Sequence, residues 1–186
     1  MSLEYLSNIR RLLELRVAQT LGWCPEIKSH FNAILQQLDE PDAAMQMLRG
    51  IYDRCADLIL NLDFPNGQIP KEWVNEWDSR GRLRQEDRDP RHRGAESRDV
   101  DEILQGRVPP HRGWRMRLLS LLRDEKIPGK SKARASTLCL LDGLLDASNY
   151  CSHSFEIGEA VPLSFACGAL FSALALCGQL SEDLRK

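Results

Sequence analysis

The stretch Ser136–His153, STLCLLDGLLDASNYCSH, joins an apolar helix to chemically capable side chains. Its leucines recur at three- and four-residue steps, the period of a helix and not the alternation of a strand. On a helix advancing ~100° per residue, Asp142, Asp146, Asn149 and His153 fall within about 60° of one another. Two carboxylates, a carboxamide and an imidazole then share one stripe, and Leu138, Leu141 and Leu145 are left to pack. The stretch predicts an amphipathic helix that presents hydrogen-bonding groups to a partner or a cleft. The competing reading is a solvated face whose terminal His meets only the last carbonyls and the negative end of the dipole.

Outward from this helix the chain reads as helical in both directions. Downstream, Val161–Leu180 is a closing helix inside an uncharged run that begins at Ala160. That run is long enough to test as a membrane span. Pro162, Ser164, Gly168, Ser172, Gly178 and Gln179 dilute it, so central core or a dimer-buried helix is expected, and no membrane. Upstream, Ser2 can cap a first helix with Leu3, Leu6, Ile9, Leu13 and Val17 on one face, and Gly22 stops it. Pro25 opens a second helix that buries Ile27, Phe31, Ile34, Leu35 and Leu38. After Asp39-Glu40-Pro41 a third, longer helix turns Met45, Leu48, Ile51, Tyr52, Cys55, Leu58, Ile59 and Leu62 inward. His30 reads as core-edge packing. Short turns between these helices suggest an antiparallel bundle.

DFPNGQIP, residues 63–70, is turn chemistry, and Pro70 then opens a short helix with Trp73 and Trp77 four apart. The pair anchors a flap to the core or stacks on nucleic-acid bases. From Asp78 to Asp99 seven arginines mix with six acids, and Leu83 is almost the only apolar residue. Such a segment cannot bury a core of its own, so 78–109 is expected to be a charged, loop-like insertion. Its clusters Arg80, Arg82, Arg84 and Arg91, His92, Arg93 offer phosphate or acidic-partner contacts with salt-dependent affinity. Arg107, His111, Arg112, Arg115 and Arg117 extend that supply into a helix opened by Pro109-Pro110, with Trp114, Leu118, Leu121 and Leu122 inward.

With 186 residues, 42% hydrophobic and 28% charged, the chain is long enough for one domain with a sizeable core. A net charge of −2 gives no overall basic field, so any nucleic-acid contact rests on a local patch. The six cysteines have no C-x-x-C pair and sit mostly in apolar patterns. They read as reduced, buried thiols of a cytoplasmic protein. The N-terminus carries charges through its apolar pattern and has no signal-peptide core.

Ser148-Asn149-Tyr150-Cys151-Ser152-His153 resembles the signature of the HEPN superfamily of small all-helical domains. That signature is an Arg, often a following Asn, a few variable residues and a His near a helix end, ahead of the closing helix. Asn149 and His153 match; Ser148 stands where the family has its Arg. The resemblance covers about the last third of the chain. It implies a prokaryotic defence or toxin-type domain, homodimeric, that engages RNA or a partner protein; active members of the family cut RNA without metal, and the absent Arg leaves cutting open here. His153 is then the general acid-base, with Asn149 orienting the phosphate or 2′-hydroxyl and Asp146 setting the imidazole tautomer.

The expectation is therefore a single all-α domain over 1–186, a bundle of six to seven helices with an Arg-rich insertion. Its site is His153, Asn149 and Asp146, with Ser148, Arg80, Arg82, Arg84, Arg112 and Arg115 as binding residues. Arg112 or Arg115, if folded back toward His153, would replace the missing motif Arg in space. RNA or a protein is the partner, with no cofactor and no metal. The alternative is a non-catalytic helical adaptor docking another subunit through the final helix or the insertion. A nucleophilic Cys151 and a metal set of Asp142, Asp146 and His153 complete the readings.

Overall fold

The computed structural model describes residues 3–83, 100–110, 112–123, 131–156 and 160–186. Among the described residues the helices are, in chain order, α1 Leu3–Thr20, α2 Pro25–Gln36, α3 Pro41–Gln46, α4 Leu48–Asp63, α5 Lys71–Ser79, α6 Arg112–Arg123, α7 Ala135–Glu156 and α8 Leu163–Asp183, and residues 100–104, inside the segment expected to be loop-like, are also helical. The described residues contain no strand, and the protein is an all-α bundle. The long third helix of the sequence reading is two helices, α3 and α4, because the backbone turns at Met47 and the Gly50 N–H reaches back only three residues to the Met47 carbonyl. Gly50 also lets the His30 ring approach, since a Cβ there would sit 3.0 Å from its Cδ2.

The chain divides into two compact units: Met1–Cys55 with Arg134–Lys186, and Ala56–Ala133. The charged segment 78–109 falls wholly within the second. In unit one, α8 packs against α1, α3 and α7, while α2 packs against α1 and α3. Ile27, Phe31, Ile34, Leu35 and Leu38 are all at most 2% exposed, as their spacing requires. Among the described residues α8 alone is long and apolar enough to cross a membrane by length and composition, and half of its most apolar window is buried in the bundle. On α7 the buried face is Thr137, Leu138, Leu141, Leu144, Ser148 and Cys151; Leu145 is only half-buried.

Unit two is organised around aromatic packing. Phe64 and Trp73 meet edge-on at 5.6 Å, Trp73 and Trp77 at 6.1 Å, and Trp77 is fully buried. The tryptophan pair is thus a core anchor, not a free stacking platform. An isolated antiparallel bridge pairs Gln68 with Arg107, with the Ile69 N–H donating to Gly106 at 2.7 Å and the Val108 N–H to Gly67 at 2.9 Å. Gly106 has φ +76°, and a Cβ would lie 3.1 Å from the Ile69 carbonyl, so the crossing needs glycine. At the end of α4, Asp63 accepts from the Ser131 hydroxyl at 2.7 Å and the Lys132 N–H at 2.6 Å. Burial pushes its carboxyl up, and those hydrogen bonds only partly offset the push.

Asp183, 1% exposed, closes the α7–α8 pair. It accepts from the Thr137 hydroxyl at 2.7 Å and the Arg134 N–H at 3.1 Å, and the Arg134 guanidinium lies 2.8 Å away. Burial pushes its carboxyl up, but the hydrogen bonds and the neighbouring charges outweigh burial and hold it below the usual range. Removing it strands buried donors and a guanidinium, so Asp183→Ala is expected to cost about 3 kcal/mol of unfolding free energy at pH 7. The carboxyl's stabilisation is complete above its unfolded value of about 3.9 and is lost as pH falls through the lower folded value. Urea titrations should therefore show the wild-type advantage over Asp183→Ala shrinking from pH 7 to pH 3; an equal gap at both would contradict this.

Candidate functional site

The α7 stripe is real but unequal. Asp146 and Asn149 are exposed, Asp142 is half-buried, and residue 153 continues the helix one turn beyond Asn149. The His153 side chain lies outside the described residues. Ser148 is 3% exposed: it sits seven residues after Leu141, two turns along the packing face, and is turned into the core and away from any ligand. Asp146 lies seven residues before position 153, about 10 Å along the axis, and helical side chains lean toward the N-terminus. The tautomer-setting role expected of Asp146 rests on the His153 side chain, which lies outside the described residues.

The structure brings an arginine to Asn149, and it is neither of the two expected. Arg49, in the first turn of α4, donates from Nη1 to Asn149 Oδ1 at 3.0 Å. Its guanidinium carbon lies 5.0 Å from the centre of the Tyr52 ring, and its Nε is 3.7 Å from Asp53. The Tyr52 ring is buried at 2% exposure, so it is a fixed platform that orients the guanidinium plane. The Asp53 pair is long and half-exposed, and such pairs are weak. Arg49 thus has a defined direction beside Asn149. No spacing rule finds it, because a hundred residues separate the partners.

The other expected arginines are described within unit two or lie outside the described residues. Arg115 pairs with Asp57 inside unit two, which occupies its guanidinium locally. Arg80 pairs with Glu76 one turn earlier on α5, at 2.9 Å. Arg82 is half-buried beside it in sequence. Arg84 and the side chain of Arg112 lie outside the described residues. Cys151 is 2% exposed, and burial, reinforced by the Asp42 carboxylate, pushes its thiol up to about 11. At neutral pH it is protonated and enclosed, which removes the nucleophile reading. Among the described residues no three His, Cys, Asp or Glu side chains gather as a metal set. The Asp142, Asp146 and His153 reading rests in part on a side chain outside them.

On the neighbouring stripe of α7 a groove of about 340 Å³ opens against α8. Gly143, Ala147, Gly168, Ala169 and Ser172 keep it shallow-walled, with Leu140, Leu144 and Phe165 supplying apolar surface. Tyr150, 44% exposed, lies 4.7 Å from the Phe165 ring, and Phe171 is 38% exposed on α8. No protein family, curated protein or solved structure matches the chain.

The glycines of this groove give a direct check on its openness. A Cβ on Gly143 or on Gly168 would meet nothing within 4 Å. Both lie within helices, where glycine is a poor former. Gly143→Ala and Gly168→Ala should each raise unfolding free energy by about 0.5–1 kcal/mol in denaturant titrations. A loss of stability would mean that the groove is filled in solution.

Proposed function

We propose that the protein is a HEPN-like RNA-engaging domain of a cytoplasmic prokaryotic defence or toxin-type system, in which Arg49 takes the place of the absent motif arginine. The observation that carries this reading is the 3.0 Å hydrogen bond from Arg49 to Asn149, one helical turn before His153. It joins a guanidinium suited to phosphate oxygens with a carboxamide suited to the 2′-hydroxyl, one turn before the position of a histidine, the side-chain type most used for proton transfer. In the cleaving form His153 moves the proton, Asn149 orients the phosphate or the 2′-hydroxyl, and Arg49 neutralises developing charge, with no metal in the scheme. Two copies of the chain together make the working species.

A second reading, a non-catalytic adaptor, is favoured by the exposed Tyr150, which packs on Phe165 of the α7–α8 groove, and by the exposed Phe171 on α8. Aromatic side chains of this kind are enriched where proteins meet. This reading predicts that charge reversal at Arg80, Arg82 and Arg84, or Phe171→Asp, disrupts a complex, whereas His153→Ala does nothing.

The purified chain, incubated with mixed RNA in the presence of a chelator, should cut it, and His153→Ala should stop the cutting while keeping the helical circular-dichroism spectrum. Arg49→Ala should weaken RNA binding about 10-fold or more and lower the salt slope by about one contact. Intact and unbound RNA across salts and metals would remove the RNA reading. An unchanged affinity in Arg49→Ala would remove Arg49 from it.

A further inference from the structure

Five of the six cysteines are buried, and two of them meet. Cys55 Sγ on α4 and Cys177 Sγ on α8 are 3.8 Å apart, and both residues are fully enclosed at 0% exposure. Cys24, at the start of α2 and 7% exposed, lies within electrostatic reach of Cys55. A disulfide has its sulfurs about 2.05 Å apart, so closing this pair requires each sulfur to move by about 0.9 Å. Cys55 is also the last residue of the first segment of unit one, and Cys177 belongs to its second segment, which begins at Arg134. A bond between them would tie together the two separated halves of that unit.

We propose that Cys55 and Cys177 are an oxidative modification site, forming an intramolecular disulfide when the protein meets a hydroperoxide. One thiolate attacks a peroxide oxygen, the O–O bond breaks, and a sulfenic acid and a water or alcohol result. The second thiol attacks the sulfenic sulfur, the S–S bond forms, the S–O bond breaks and water leaves. In sum two thiols are oxidised by two electrons and one peroxide is reduced. The hydrogen bond between the two thiols, with burial, raises the Cys55 pKa and keeps the thiolate scarce, so the reaction is slow and needs sustained oxidant or transient opening. The closed loop spans 122 residues, long enough to stabilise the native state through the unfolded chain.

The test uses the full chain carrying Cys139→Ser, which removes the exposed thiol. After hydrogen peroxide, denatured monomer should show five titratable thiols reduced to three and a mass lower by two hydrogens. Peptide mapping of the unreduced digest should join the Cys55 peptide to the one containing Cys177, and Tm should rise until dithiothreitol is added. Adding Cys177→Ser should abolish the loss of thiols. If that variant does not fold, the mapping of the parent chain decides. Retention of all five thiols, loss of two that persists in the Cys177→Ser chain, or a link from Cys55 to Cys24 would each overturn the proposal.

Discussion

A buried carboxylate holds the α7–α8 pair in register. Asp183 ends α8 and takes the backbone N–H that precedes α7, together with the Thr137 hydroxyl and the Arg134 guanidinium. A helix start carries partial positive charge and unpaired donors, so a carboxylate placed there answers both at once. Arg134 adds a hydrogen bond to the Gln179 carbonyl and an ion pair to Glu182, which ties the last turn of α8 to the entry of α7 from several directions. Everything presented on the outer face of α7 inherits its position from this joint.

What that face offers is modest in number and specific in kind. Asn149 is met by the Arg49 guanidinium, which is steered by the buried Tyr52 ring. The enclosed thiol of Cys151 and the buried hydroxyl of Ser148 belong to the other side of the same helix and serve packing.

Local periodicity carried most of the fold into view. The face of α2 was legible because apolar residues at helical spacing admit one buried stripe, and Ile27, Phe31, Ile34 and Leu35 are all enclosed, as is Leu38 just past its end. The same rule would have placed Ser148 in the core, as it falls in line with Leu141; matching it to a motif position hid this. The break at Met47 left no proline or glycine at the point of change, so 41–62 read as one helix. Leu58 and Leu62, read as inward, are half-buried, while Ala56 and Leu60 are the enclosed residues. Arg49 and Asp183 escaped notice for a common reason. Their roles depend on partners a hundred and about fifty residues away, and no one-dimensional pattern encodes such a meeting.

The interrupted build of unit one also sets an order of events during synthesis. Residues 56–133 form a continuous unit that is complete once they have left the ribosome, whereas α1 and α3 meet their partner α8 only after all of that intervening chain has emerged. Until then Leu13, Val17 and Met45 remain without their final surroundings on the nascent chain. Contacts of such long sequence separation close slowly, and apolar surface left waiting is what chaperones recognise. A chain truncated ahead of α8 therefore leaves its first helices as sticky, unfinished surface, while the inserted unit keeps its own core.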